Sequence, residues 1–314
     1  MSFSSNVKKE LCAFENQARH CDIAEIAGLI NACGTLFFGA DGPSVSVRTE
    51  NAAVAKKYFK LIKRVFKAKC ELTVTRARNF RKNRIYRVAT YSEGGADKLL
   101  MAVGLFENGQ LKKRVNHTAI KSDCCKRAYL RGAFISGGSL VNPEKSYHLE
   151  FINSDGEVAA AVADMLRFLG LNGKITLRKN HSVVYLKEGE NIVDLLNMLG
   201  AHISLMDLEN VRIVKDMRNN VNRIVNCEAA NIFKTANASA RQTEDIKFIA
   251  ETKGVDFLPK RLGEVAAARL KSPEASLKEI GAMLNPSIGK SGVNHRLRKI
   301  SQIADSIRGR HLND

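Results

Sequence analysis

The sequence predicts an α/β fold of the α+β kind: a domain built from two copies of one αββαββα unit, followed by an all-α C-terminal region. Two observations carry this. The order of helical and strand periodicities from about residue 22 to 105 recurs from about 126 to 205. Beyond about Asp207 the alternating strand patterns stop, and only helical patterns follow.

The first copy opens with a helix rich in small residues, "IAEIAGLINACG". "TLFFGADGPSVSVRTE" then gives two strands around an Asp-Gly turn, a strong hairpin signal. "NAAVAKKYFKLIKRVFKA" is an amphipathic helix, "CELTVTRARNFRKNRIYRVATY" a second hairpin with a basic loop, and "GADKLLMAVGLF" a closing helix. In the second copy the same order runs "CCKRAYLRGAFISGG", "SLVNPEKSYHLEFIN", "DGEVAAAVADMLRFLGL", "GKITLRKNHSVVYLKEG" and "NIVDLLNMLG". Gly34 and Gly138 end the paired first helices, and the two copies are expected to pack about a pseudo-two-fold axis. The segment after Asp207 reads as one or two long helices, broken at Gly254 and Pro259. The expected division is residues 1–205, a helical linker 206–255, and a helical domain 256–314.

Charge narrows the partner. The chain has 314 residues, with 50 Lys and Arg against 32 Asp and Glu, a net charge of +18. From Lys56 to Arg87 thirteen basic residues face a single acid, Glu71. A solvated surface mixes signs, whereas a polyanion gains from such a segment by releasing condensed counterions. An anionic membrane fits less well, because no strongly apolar face accompanies the charge. No apolar run is long enough to span a bilayer, and "MSFSSNVKKELC" has no apolar core of a secretory signal, so a cytoplasmic, nucleoid-associated protein is expected.

The seven cysteines form no C-x-x-C pair and have no histidine at zinc-finger spacing, so no metal and no cofactor are expected. Cys124 and Cys125 read as small apolar residues at a helix start in a reducing compartment; a redox pair is the alternative.

Near the C-terminus, Ser276 and Glu279 have capping-box spacing. Leu277, Ile280, Gly281 and Leu284 share a face, and Gly281 gives room for a second helix. Asn285, Pro286 and Gly289 interrupt, and Ser291 suits the cap of a following helix. In that helix Val293, Leu297, Ile300 and Ala304 share one face; Ser291, His295, Arg298, Lys299 and Gln302 lie opposite, with Asn294 and Arg296 on the flanks. A short helix, a broken turn and a basic second helix make a helix-turn-helix. Reading helices touch bases mainly with their N-terminal residues. That assigns Asn294 and His295 to base edges, and Lys290, Arg298 and Lys299 to phosphates or outer bases. An ordinary solvated helix in a small bundle is the plain alternative.

The segments "YLRGAFISGGSL", "KSYHLEF", "NVRIVKDMRNNVNRIVNCEAAN" and "KSGVNHRLRKI" resemble the WhiA family of bacterial regulators of cell division and sporulation. The resemblance implies a degenerate LAGLIDADG homing-endonuclease-like domain joined to a C-terminal helix-turn-helix, and a transcription factor acting on promoter DNA. It also leaves room for a second regulatory protein as partner. In active LAGLIDADG nucleases each of two paired helices ends in an acid, and the two acids hold the divalent ions that activate water. Aligned to that motif, Ile26–Gly34 and Leu130–Gly138 place Cys33 and Gly137 at the acid positions, while the packing glycines Gly28 and Gly132 remain. A thiol is too soft for Mg²⁺, and glycine offers no ligand. Asp41 and Asp155 lie at a turn and a helix start, where capping is the common role. The expectation is therefore a non-catalytic, sequence-specific DNA-binding protein. Arg76, Arg78, Arg81, Lys82 and Arg84 of the basic hairpin are expected to add phosphate contacts. A residual nuclease is the less favoured reading, and an interaction module with only non-specific DNA affinity is the alternative.

Overall fold

The computed structural model of the chain describes residues 2–39, 42–76, 84–107, 110–111, 115 and 120–311. Asp41, Arg78, Arg81 and Lys82 lie outside the described residues. Two compact units are present, Met1–Lys215 and Asp216–Asp314.

The first unit begins with a helix outside either repeat, α1 (Phe3–Ala13), capped by Ser2. Its Val7 and Leu11 are fully buried in the core. The first repeat then runs α2 (Arg19–Cys33), β1 (Gly34–Gly39), β2 (Gly42–Thr49), α3 (Ala52–Phe66), β3 (Cys70–Arg76), β4 (Arg84–Thr90) and α4 (Ala96–Ala102). A short ribbon, β5 (Phe106–Glu107) and β6 (Gln110–Leu111), follows. The second repeat runs α5 (Asp123–Gly137), β7 (Gly138–Leu140), β8 (Leu149–Asn153), α6 (Gly156–Phe168), β9 (Lys174–Arg178), β10 (His181–Leu186) and α7 (Gly189–Leu199). The two sheets have the same antiparallel order, β1-β2-β4-β3 and β7-β8-β10-β9, so the sequence repeat is a spatial one.

Local chemistry explains the elements. Asn51 accepts a hydrogen bond from the Ala53 amide at 2.9 Å and starts α3, which buries Val54, Tyr58, Leu61, Ile62 and Val65 at helical spacing. Asp155 does the same for α6, accepting from the Glu157 amide at 2.8 Å, as its place at a helix start suggests. Lys56, Lys60 and Lys63 project from α3 into solvent, so part of the basic segment is an ordinary solvated helix face.

The two repeats meet along α2 and α5. Their contact depends on two glycines. A Cβ on Gly28 would sit 2.1 Å from the Tyr129 carbonyl oxygen, and one on Gly132 would sit 2.1 Å from the Glu25 carbonyl oxygen. The backbones touch directly, which only glycine allows. Asn31 Nδ2 donates to the Tyr129 hydroxyl at 3.0 Å across the same seam. Beside it Glu25 is wholly buried, with Lys57 and Arg131 each 3.4 Å from its carboxylate and Asn16 donating at 2.6 Å. Burial pushes the Glu25 carboxyl up, and Lys57 and Arg131 draw it back down. Arg131 also donates from Nε to the Leu199 carbonyl at 2.7 Å, tying α5 to α7.

The cysteine expectation is corrected in part. Cys125 is buried like a small apolar residue, but Cys124 is exposed, and both lie against His20 and Cys21 from the other repeat. Sequence spacing hid this because the two dyads are a whole repeat apart.

α8 (His202–Lys253) is a single helix of 52 residues, running from the first unit into the second. In the second unit Ile246 and Ile249 of α8 form a core with Val265, Ile280, Val293, Leu297, Ile300 and Ala304. These come from α9 (Lys260–Lys271), α10 (Leu277–Ala282) and α11 (Lys290–His311).

Candidate nucleic-acid interface

Cys33 and Gly137, the acid positions of the motif, are the last residues of α2 and α5. The Cys33 thiol donates to the Leu29 carbonyl at 3.4 Å, and burial pushes it up to about 11, so it stays protonated at neutral pH. A Cβ on Gly137 would lie 2.9 Å from the Ile152 carbonyl oxygen and 3.1 Å from Ala32 Cβ. A carboxylate side chain there has no room. The departure from an ion-binding pair is thus one of both chemistry and space.

Strand register sorts the basic residues of the first sheet. Val47 pairs with Val88 and Val88 with Leu72, and this parity faces the helices. Arg76 and Arg84 pair with each other in the same parity at the strand tips, exposed but on the helix side. The opposite, open face carries Arg48 directly across from Arg87, with Thr73 beside it. Among the described residues, the open face presents Arg48 and Arg87, and Arg76 and Arg84 lie on the other face. Parity could be counted in the sequence, but which parity faces the helices depends on the register. In the second sheet the equivalent face holds Glu150, which accepts from Ser139 at 3.0 Å and lies 3.6 Å from Arg178. That face is mixed in sign.

The C-terminal helices form the expected helix-turn-helix. Ser276 and Glu279 make the reciprocal capping box, with the Ser276 amide donating to Glu279 at 2.7 Å. Gly281 does admit a close approach, but its nearest neighbour is the turn: an added Cβ would meet the Ile288 carbonyl oxygen at 2.1 Å, and Val293 Cγ2 of α11 at 3.2 Å. Ser291 is not the cap of α11. The helix starts at Lys290, the Gly289 carbonyl accepts from the Val293 amide at 3.1 Å, and Ser291 lies in the first turn. Arg269 locks the preceding loop, donating to the Ala275 carbonyl at 2.6 Å from a nearly buried position.

Val293, Leu297, Ile300 and Ala304 are buried, at most 1% exposed. Opposite them Ser291, Asn294, His295, Arg298 and Gln302 form one exposed stripe, with Lys290 and Lys299 exposed on its two sides. Arg296 is half-buried and donates to the Arg261 carbonyl at 3.3 Å, which anchors α11 on α9. The reading of the sequence missed an apolar stretch on α8: Met217, Val221, Ile224, Val225, Ile232 and Phe233 are all exposed. Their apolar character is plain in the sequence; their lack of cover is not.

Two αββαββα repeats packed through paired glycines, followed by a helix-turn-helix, define a LAGLIDADG-like protein with a helix-turn-helix module. The comparisons agree. The WhiA N-terminal LAGLIDADG-like domain matches residues 19–106, the WhiA LAGLIDADG-like domain residues 126–218, and the WhiA C-terminal HTH domain residues 221–304. The chain belongs to the WhiA family. It is 46% identical over 312 residues to a "Probable cell division protein WhiA" of Clostridium botulinum (strain Eklund 17B / Type B), covering 98% of this chain and 99% of that one. It is likewise 46% identical over 317 residues to a protein of the same name in Alkaliphilus metalliredigens, covering 99% and 100%. Among solved structures, full-length DUF199/WhiA from Thermatoga maritima matches at 27% identity with a TM-score of 0.61, covering 98% of this chain and 99% of that one. The N-terminal LAGLIDADG domain of DUF199/WhiA matches at 26% identity, TM-score 0.51, covering 63% and 90%. No helix among the described residues is long and apolar enough to cross a membrane.

Proposed function

We propose that this protein is a sequence-specific, non-catalytic DNA-binding regulator of transcription that acts on promoter DNA in bacterial cell division and sporulation. The observation that carries the reading is the exposed stripe Ser291–Asn294–His295–Arg298–Gln302 on α11, backed by a buried face and flanked by Lys290 and Lys299. These side chains offer donors for phosphates and for purine edges in a major groove. The family's HTH domain and the relatives' name, probable cell division protein, support the same reading. The non-catalytic part rests on Cys33, a protonated thiol, and on Gly137, where no side chain fits.

Recovery of fragmented bacterial genomic DNA on the full-length protein, at physiological salt with Mg²⁺ and with sequencing of fragments and their ends, tests both parts. Enrichment of fragments sharing a short motif, with random ends, is expected. Motif-linked ends would establish cutting and refute the non-catalytic reading. Uniform recovery would refute specificity and favour a second reading, an interaction module, for which the exposed apolar residues of α8 from Met217 to Phe233 speak.

The first sheet adds sequence-independent affinity through its open face. Replacing Arg48 and Arg87 together by alanine should weaken binding to all sequences alike. The slope of log affinity against log salt should flatten by about two, near one counterion for each lost phosphate contact. Arg76 and Arg84 form the comparison pair: if the hairpin tip tracks phosphates instead, their exchange flattens the slope and that at Arg48 and Arg87 does not.

A further inference from the structure

We propose that His20, Cys21, Cys124 and Cys125 form a structural zinc site that clips together the N-terminal ends of the two central helices. One ligand atom from each of the four residues lies within 4.8 Å of all the others. His20 Nδ1 is 3.1 Å from Cys125 Sγ and 3.4 Å from Cys21 Sγ. A tetrahedral zinc with the usual Zn–S and Zn–N bond lengths has ligand-to-ligand edges of about 3.5–3.8 Å. The cluster is thus already near that size, and small side-chain movements close it around an ion.

The internal symmetry is a separate argument. The register that aligns Gly28 with Gly132 and Cys33 with Gly137 also aligns His20 with Cys124 and Cys21 with Cys125. Each repeat therefore supplies an equivalent dyad at the start of its central helix, and the two dyads meet.

The donor set selects the metal. Three thiolates and an imidazole suit Zn²⁺ and reject Mg²⁺, which requires oxygen ligands. Four protein ligands leave no open position, the arrangement of a structural rather than a catalytic zinc. Ser122 supplies outer support: its hydroxyl donates to Cys125 Sγ at 3.0 Å and lies 3.2 Å from Cys124 Sγ. The exposed sides of His20 and Cys124 give the ion a path from solvent. The nearest buried carboxylate in sequence, Asp22, is occupied by Arg64 at 2.6 Å and by Asn16 at 3.0 Å, so it does not compete. The site lies at the opposite end of α2 and α5 from Cys33 and Gly137, and it is independent of the DNA-binding reading.

The test uses the full-length protein, fully reduced, stripped with a chelator and titrated with Co²⁺ alone. One equivalent should bring up the intense visible bands of tetrahedral cobalt together with thiolate-to-cobalt charge transfer. Zn²⁺ should bleach them stoichiometrically, and excess Mg²⁺ should not. Cys124→Ser should weaken cobalt binding by more than the roughly 10–100-fold that loss of an outer-shell partner costs. Because Cys124 is exposed, its circular dichroism should match that of the parent. Cys227→Ser, on α8, should change nothing. Zn²⁺ should also protect the exposed Cys124 of the unmutated protein from alkylation while the equally exposed Cys227 is labelled, a readout that needs no variant. Absence of the tetrahedral spectrum, a spectrum undiminished in Cys21→Ser/Cys124→Ser, or equal alkylation with and without Zn²⁺ would each overturn the proposal.

Discussion

Alanine at His295, Arg298 and Lys299 together should remove specific DNA binding while leaving the protein folded. All three side chains are exposed on α11, and the buried residues of that helix, Val293, Leu297, Ile300 and Ala304, are untouched. A base contact in the major groove is worth about 1–3 kcal/mol, and each phosphate contact adds a smaller, salt-dependent amount. Their combined loss should lower affinity for the preferred site by at least about 100-fold, down to the non-specific level. Affinity for unrelated DNA should fall far less, because it draws on the whole positive surface. A binding titration on the motif recovered from genomic DNA, beside a scrambled duplex, reads both numbers. Unchanged affinity for the motif would mean that α11 is not the reading helix. Arg296 is left out of the set deliberately. It holds α11 against α9 through the Arg261 carbonyl, so its removal would mix a packing defect with a contact defect.

The second large effect is structural. Gly28→Ala should destabilise the first unit, because the new Cβ would lie 2.1 Å from the Tyr129 carbonyl oxygen and 2.9 Å from the Ala133 amide nitrogen. Backbone cannot swing aside as a flexible side chain can, so α2 and α5 must separate. Separation opens the seam that holds Glu25, Lys57 and Arg131, and a buried charge group is costly to disturb. A loss of about 3 kcal/mol is expected, which for a unit of this size lowers Tm by roughly 10 °C. Gly156→Ala is the control: its Cβ would meet only Ser182 Oγ at 3.7 Å, and it should leave Tm nearly unchanged. Thermal unfolding of the two variants decides the matter, and equal melting would show that the glycine seam does not hold the repeats together.

The replaced nuclease positions and the glycine seam belong together. Gly28 and Gly132 bring the central helices into backbone contact, and the same approach leaves Gly137 against the Ile152 carbonyl and Ala32. The seam is kept as the joint between two sheets. The ends of its helices, where an ion pair would sit in a nuclease, are filled by protein. Among the described residues, Arg48 and Arg87 lie exposed on the open face of the first sheet, and Arg298 lies exposed on α11 between Lys290 and Lys299.

Much of the fold is legible in the sequence because it is written in local periodicities. The repeat order, the pairing of β1 with β2, the Ser276–Glu279 capping box and the buried stripe of α11 each depend on residues a few positions apart. The paired glycines and the lost acids are legible too, once the two motif copies are aligned. Features that depend on distant pairing were decided only by the tertiary structure. Strand register turned Arg48 and Arg87, not Arg76 and Arg84, toward the open face. The helix began one residue ahead of Ser291, at Lys290, with the Gly289 carbonyl accepting its first backbone bond. Packing of α1 against the repeats buried Val7 and Leu11, which carry no repeat signal. Above all, the meeting of α2 with α5 brought His20 and Cys21 to Cys124 and Cys125. A one-dimensional pattern records what lies on one face of one element; which two faces meet is fixed by the packing of the whole chain.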